Sequence, residues 1–353
     1  MRLELERRAE RSRLMALVSP LIAVALTVVT AAILLAIVGV DPAHGLYIYF
    51  IEPLTTGWSL QELALKATPL ILIATGLSVC FLANTWNIGA EGQYIAGAML
   101  GGWWVLPAML ALGAVGGMLY ALIPALLRVL FGASEILTSL MLVYVAQLGL
   151  DFLVRGPWRD PHGFNFPQTV TFENAAVLPL LFGGGRLHLG VALTVVIVGL
   201  SLVFLGFTLR GFELRVVGTA PRAGRFAGFS DRRNIVIAFL VSGALAGLAG
   251  IIEVAGPIGQ LLPSISPGYG FTAIIVAFLG RLNPLGIFVA GLVLALSYLG
   301  GEAAQIALHL PLDLAQVLQG VLLFYVLACD TLILYRIRLR LFHFRARMVP
   351  RVS

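Results

Sequence analysis

Long apolar runs separated by short polar segments dominate the chain. Ten runs have the character of membrane spans: 14–38, 66–84, 88–107, 109–130, 136–154, 188–209, 234–256, 269–281, 284–301 and 313–335. A helix needs about 20 apolar residues to cross a bilayer. The run 269–281 is too short for a full crossing, and 88–107 begins in a stretch rich in Gly and Asn. Both are expected to be broken or partial helices. The pattern predicts an all-α, polytopic transmembrane helix bundle.

Composition narrows the class. Of 353 residues, 59% are hydrophobic and only 11% charged, with a mean hydropathy of +0.98. A soluble domain carries about 25% charged residues, so there is too little polar surface here to coat one. Arg7, Arg8, Arg11 and Arg13 precede an apolar run that continues to Val40. That run exceeds the apolar core of about 7–15 residues in a signal peptide, and it reads as a retained first helix. Cys80 and Cys329 sit in apolar runs and read as buried thiols. No Cys/His cluster has metal-ligand spacing, so no metal is expected.

Basic residues set the expected orientation, because cytoplasmic loops hold the excess of Lys and Arg. With the N-terminus inside and ten crossings, all of the 23 basic residues except Lys66, Arg155, Arg159 and Arg186 fall on the cytoplasmic side. Both termini are then cytoplasmic: a tail at 1–13, a transmembrane domain at 14–335 and a basic tail at 336–353. The basic balance does not imply nucleic acid, since the arginines are spread over loops and form no patch interleaved with aromatics.

Two loops stand out. The outer one, 155–187, holds four prolines and Gly183–Gly185, and either covers the mouth of a pathway or merely connects. The inner one, 210–233, concentrates Arg210, Glu213, Arg215, Arg222, Arg225, Asp231, Arg232 and Arg233. It is either a surface for a soluble partner or a set of topology determinants. No phosphate-cradling loop is present: that motif needs a lysine after its glycines, and the only lysine, Lys66, lies between Leu65 and Ala67. No hydrolase elbow or zinc-protease pair occurs, so no catalytic residue is expected.

Polar residues at membrane depth are costly and mark pathways or internal hydrogen-bond networks. The richest such stretch is Asn84 to Gln93, with Thr85, Asn87 and Glu91 between. A second discontinuity runs from Gly256 to Phe271. Each introduces a Gly-rich helix start, one in each half of the chain, as in transporters built from internal repeats. Asn84, Asn87, Glu91, Gln93, Tyr269 and Thr272 are the candidates for a substrate pathway. Ser242, Ala246 and Gly250, with Gly243 and Gly247, have the spacing of close helix packing. Glu135 suits a helix start, and Glu253 lies near the outer end of its span.

Three strings carry a resemblance: Asn87-Ile-Gly-Ala-Glu-Gly-Gln93, Gly132-Ala-Ser-Glu-Ile-Leu-Thr138, and Glu213-Leu-Arg-Val-Val-Gly218 running on to Arg225-Phe-Ala-Gly228. Between about 60 and 330 the chain resembles permease subunits of bacterial nucleoside and simple-sugar ABC importers, within the branched-chain amino acid and ribose-type permease superfamily. The resemblance implies two ATP-binding subunits, a second permease, identical or related, and an extracytoplasmic solute-binding protein, in a bacterial inner membrane. ATP would be used by the partner, and no cofactor is expected here. By the same resemblance the segment 213–229 matches the family's coupling segment, with Glu213, Arg215, Gly218, Pro221, Arg225 and Gly228 as its residues. It departs at Ala220 and Arg222, where family members often carry Asn and an acid. Nucleosides are the first cargo expected, then ribose-type sugars and branched-chain amino acids. A carrier driven by an ion gradient, and a membrane enzyme or scaffold, are the alternatives.

Overall fold

The computed structural model describes residues 2–7, 13–102, 104–311 and 313–340. Its elements are β1 (Arg2–Arg7), α1 (Arg13–Ile37), α2 (Pro42–Leu46), α3 (Gly57–Leu82), α4 (Ala90–Gly101), α5 (Leu106–Phe131), α6 (Glu135–Arg155), α7 (Leu189–Phe207), α8 (Leu209–Thr219), α9 (Pro221–Phe226), α10 (Asp231–Glu253), α11 (Tyr269–Leu279), α12 (Pro284–Leu308), α13 (Asp313–Leu334) and β2 (Tyr335–Arg340). Each expected span is helical. Among the described residues, six helices are long and apolar enough to cross a membrane: α3, α5, α6, α7, α10 with its continuation to Ile258, and α12. The chain is a multi-pass membrane protein with a helical bundle fold.

Differences from the apolar pattern have local causes. α3 begins at Gly57 rather than 66, because the Thr56 hydroxyl caps it by accepting from Ser59 N–H at 3.1 Å. α12 continues past 301 to Leu308, carrying Glu302 into an ion pair with Lys66 at 2.7 Å. α4 and α11 are short, 12 and 11 residues, or about 18 and 16 Å at 1.5 Å per residue. β1 and β2 pair antiparallel, Arg2 opposite Arg340, so the two terminal segments lie together rather than as separate tails.

Packing reveals a repeat. α10 packs on α4 and α5, while α3 packs on α11 and α12; α4 packs on α5 and α6, while α11 packs on α12 and α13. Exchanging α3–α6 with α10–α13 maps this set of neighbours onto itself. α3 and α10 touch each other and run antiparallel: Gly76 meets Ser242 near the start of α10, whereas Gln61, near the start of α3, meets Gly185 of the segment whose end, His188, packs on Gly256 just past α10. The repeat is therefore inverted, with α3 and α10 at its centre.

Glycine lets the central helices touch backbone to backbone. Gly117 faces the Gly243 carbonyl and Gly247, Gly97 also faces Gly247, and Gly250 meets the Tyr94 carbonyl. A Cβ at any of these would overlap main-chain atoms that cannot swing aside. Small residues are the usual route to close helix association in lipid, where apolar burial drives nothing.

The 156–188 segment closes one end of the bundle. Thr169 N–H donates to the Leu261 carbonyl at 3.1 Å, Phe172 N–H to Gly259 at 2.8 Å, and Leu178 N–H to Ala255 at 2.9 Å. It ends at His188, which caps α7 by accepting from Gly190 N–H at 3.1 Å. His188 is 4% exposed, and burial pushes its imidazole down to about 4. The native state thus keeps the ring neutral while the unfolded chain protonates near 6.5. The contribution of His188 to stability is then constant above about pH 6.5 and falls by up to about 3 kcal/mol between there and pH 4. Thermal melting at pH 7.5 and 5 checks this: the melting temperature of the wild type relative to that of His188→Asn, which keeps a capping acceptor, should fall on going to pH 5.

Candidate functional site

The polar stretch after α3 folds into a compact node. α3 stops at Asn84, whose backbone takes the left-handed conformation (φ 53°) that Asn tolerates better than most residues. Asn84 and Trp86 are exposed, whereas Thr85 and Asn87 are fully buried. Asn87 and Gln93 bond each other reciprocally: Asn87 Nδ2 donates to Gln93 Oε1, and Gln93 Nε2 donates to Asn87 Oδ1, both at 3.0 Å. Asn87 Nδ2 also donates to Ser242 Oγ of α10 at 3.0 Å, and Ile88 N–H donates to Ser139 Oγ of α6 at 3.2 Å. Glu135, at the first turn of α6, pairs with Arg128 and accepts from Trp86 N–H at 3.4 Å. Four helices thus converge on residues 84–93.

Glu91 reaches the other repeat. Its carboxylate, 1% exposed, accepts from Gly270 N–H at 2.6 Å and is hydrogen-bonded by Ser266. It therefore sits at the N-terminus of α11, where free N–H groups and the helix dipole favour a negative charge. The two helix starts are built alike. Asn87 Oδ1 accepts from the N-cap Gly89 of α4 at 3.1 Å; Ser266 Oγ accepts from the N-cap Gly268 of α11 at 3.1 Å and from Tyr269 at 3.0 Å. In each case the oxygen belongs to the residue two before the glycine. Tyr269 lies between Tyr94 and Tyr298, with ring centroids 6.3 and 5.6 Å away. Thr272 Oγ1 and Tyr298 OH lie 2.8 Å apart. Five of the six pathway candidates are thus gathered around the two short helices, all but Asn84 buried.

The charged segment 210–233 is two helices rather than a loop. Thr208 caps α8, accepting from Gly211 N–H at 3.1 Å, and Pro221 opens α9 at a position that needs no N–H. Its six residues of interest divide. Glu213 is 8% exposed and pairs with Arg210 at 2.6 Å; Arg215 donates to the Gly211 carbonyl at 3.2 Å and to that of Leu205; Gly218 touches the Leu82 carbonyl. Gly218 thus seats α8 on the end of α3, Arg215 ties it back to α7, and the Glu213–Arg210 pair lies within α8 itself. Pro221, Arg225 and Gly228 are exposed, Arg225 pairing with Asp231 at 3.0 Å. Beside them Phe226 is 94% exposed. Sequence reasoning passed over Phe226, although an aromatic among arginines on a solvated segment was the available signal.

One transmembrane face is also polar. On α6, Tyr144, Gln147 and Asp151 share one side of the helix: Tyr144 and Gln147 are exposed, Asp151 is half-buried and pairs with Arg155 at 2.6 Å, and the exposed Leu137 and Leu148 stand beside them. The exposed side chains of α5 and α7 are overwhelmingly apolar by contrast. At the same end of the bundle as Asp151, Arg186 pairs with Glu62, and Lys66 with Glu302.

Comparison with known proteins fits this architecture. The family model described as the branched-chain amino acid transport system / permease component matches residues 59–327. The chain belongs to this permease family. It is 35% identical to a glucose ABC transporter permease protein of Haloferax volcanii, over 90% of this chain and 89% of that protein. It is 27% identical to a nucleoside ABC transporter permease protein of Lactococcus lactis (87% and 89% covered) and to a guanosine ABC transporter permease protein of Bacillus subtilis (89% and 94% covered). No solved structure matches. The matched region of the permease begins at α3 and ends within α13, so it contains both repeats.

The amides of Asn87 and Gln93 act as one unit, so removing either should forfeit most of what both contribute. Asn87→Ala and Gln93→Ala should each lower the melting temperature of the purified permease. The double variant should fall short of the sum by a coupling of about 1 kcal/mol, read from a thermal double-mutant cycle.

Proposed function

We propose that this permease is the membrane-spanning subunit of an ABC importer for a neutral solute, a nucleoside or a simple sugar. It works by alternating access and has no catalytic residue, metal or cofactor of its own. ATP is hydrolysed by separate ATP-binding subunits, and an extracytoplasmic binding protein delivers the solute. The observation that carries this reading is the α8–α9 pair: α8 is held to the bundle by Gly218 against α3 and Arg215 on α7, and α9 exposes Phe226 among Arg222 and Arg225. A rigid arm with an exposed aromatic and arginines has the composition of an interface hot spot. Motion of a docked subunit would pass through α8 to the end of α3.

The arm faces the cytoplasm in this reading. Lys66 and Arg186, two of the four basic residues that the positive-inside rule leaves outside, lie together at the far end and are ion-paired. Both termini are then cytoplasmic, in a bacterial inner membrane. Asn87, Glu91 and Gln93 serve the pathway by holding the starts of α4 and α11, with Tyr269 and Thr272 on the first turn of α11 and Asn84 at the exposed end of α3. The polar face of α6 supplies the wall that a second permease, identical or related, completes. Relatives named for nucleosides support the nucleoside reading, and the 35% identity to the glucose permease supports a sugar.

Uptake of labelled guanosine and of labelled glucose by cells with and without this chain tests the function. Loss of one uptake on deletion, blocked by unlabelled solute of the same class and not by leucine, is the expected result; unchanged uptake of both would reject these cargoes. Phe226→Ala should weaken co-purification of the ATP-binding subunits at least tenfold, while the permease still inserts. Undiminished association would remove the arm as the docking surface.

A further inference from the structure

The flank of α6 opposite its polar face borders a groove of about 610 Å³ between α4, α5 and α6. Leu153, on this groove, lies nine residues from Tyr144, about half a turn round the helix. A protein that covers the polar face therefore leaves the groove open to lipid. Its walls are carbon: Leu100 from α4, Leu119 and Ile123 from α5, Leu153 from α6. The hydroxyl it contains, on Tyr120, already donates to the Leu142 carbonyl at 2.6 Å. Nothing in the lining asks for a polar ligand.

The groove follows from the short helix. α4 ends at Gly101, so the wall a full span would supply beyond it is missing. Trp104, 59% exposed, and Trp158 stand at that end, as tryptophans do at a membrane–water interface. A gap left unfilled there would forfeit the dispersion contacts of its lining, and hydrocarbon is the medium at hand. The chain runs from Trp158 directly into Arg159 and Asp160, which line a second recess. The recess holds one cation and one anion, the latter accepting from His162 N–H at 2.9 Å, and together they complement a headgroup that carries phosphate and ammonium.

We infer that this groove is a phospholipid site. One acyl chain lies between α4, α5 and α6 below Trp104 and Trp158, and a zwitterionic headgroup lies at Arg159 and Asp160. The lipid belongs to the leaflet on the side of residues 156–188. It replaces the missing half of α4 and lets that helix move against a deformable wall instead of a packed one.

The test uses the full chain reconstituted with equal phosphatidylethanolamine and phosphatidylglycerol, then extracted into detergent and weighed by native mass spectrometry. The wild type should retain about one phosphatidylethanolamine per chain. Leu119→Trp with Ile123→Trp, which fills the groove from an exposed wall, should cut retention at least fivefold. Leu200→Trp with Val289→Trp, on exposed faces of α7 and α12, should leave it unchanged, and equal melting temperatures would show that both variants fold. Equal retention in the filled variant, or a preference for phosphatidylglycerol, would overturn the site. So would efficient crosslinking of two chains through Leu119→Cys, because a second protein would then occupy the groove.

Discussion

A peptide N–H left without an acceptor in hydrocarbon is expensive, because no water is present to take its place. This bundle contains two helices, α4 and α11, that start beyond irregular stretches rather than as continuous spans. The carboxylate of Glu91 answers the demand for α11, taking Gly270 N–H at 2.6 Å, while Ser266 takes the N–H groups of Gly268 and Tyr269. Asn87 does the same for α4. Much else follows from this constraint. The helix starts can stay where they are only while Asn87, Gln93 and Ser242 remain locked, and that lock ties α4 to α10 across the two repeats.

Close packing serves the same arrangement. Glycines at 97, 117, 243, 247 and 250 bring α4, α5 and α10 to backbone contact. Between them the inverted repeats form a core around α3 and α10. α8 abuts the end of α3 next to the node: Gly218 touches the Leu82 carbonyl, two residues before Asn84. The α8–α9 arm thus meets the end of α3 through a backbone contact rather than through flexible side chains.

The exposed faces divide by chemistry. The α6 face with Tyr144, Gln147 and Asp151 sets polar groups beside exposed Leu137 and Leu148, and polar groups at depth call for water or protein opposite them. The groove behind α6 is lined almost wholly by carbon. One helix thus separates a mixed face from an apolar one.

The sequence by itself determined the class, the spans and the two broken helices, because a bilayer imposes a length and a polarity on each crossing that are legible residue by residue. It also marked Asn87, Glu91 and Gln93 as exceptional, since polar groups within apolar runs need a reason. What it left open was which partner each would find. Ser266 is an ordinary serine in a Pro- and Gly-rich stretch, and Ser242 reads as one more small residue in a packing stripe; only the fold sets them against Glu91 and Asn87. The arm likewise showed as a cluster of charge, but the split between Glu213, buried, and Gly218, against the Leu82 carbonyl, on one side and Arg225 and Phe226, turned outward, on the other required α8 to be seated on α3. Periodicity reports each helix against an average surrounding, whereas hydrogen bonds and backbone contacts depend on which two segments, 150 or more residues apart, meet (Asn87 with Ser242, Glu91 with Gly270), and that was decided by tertiary structure.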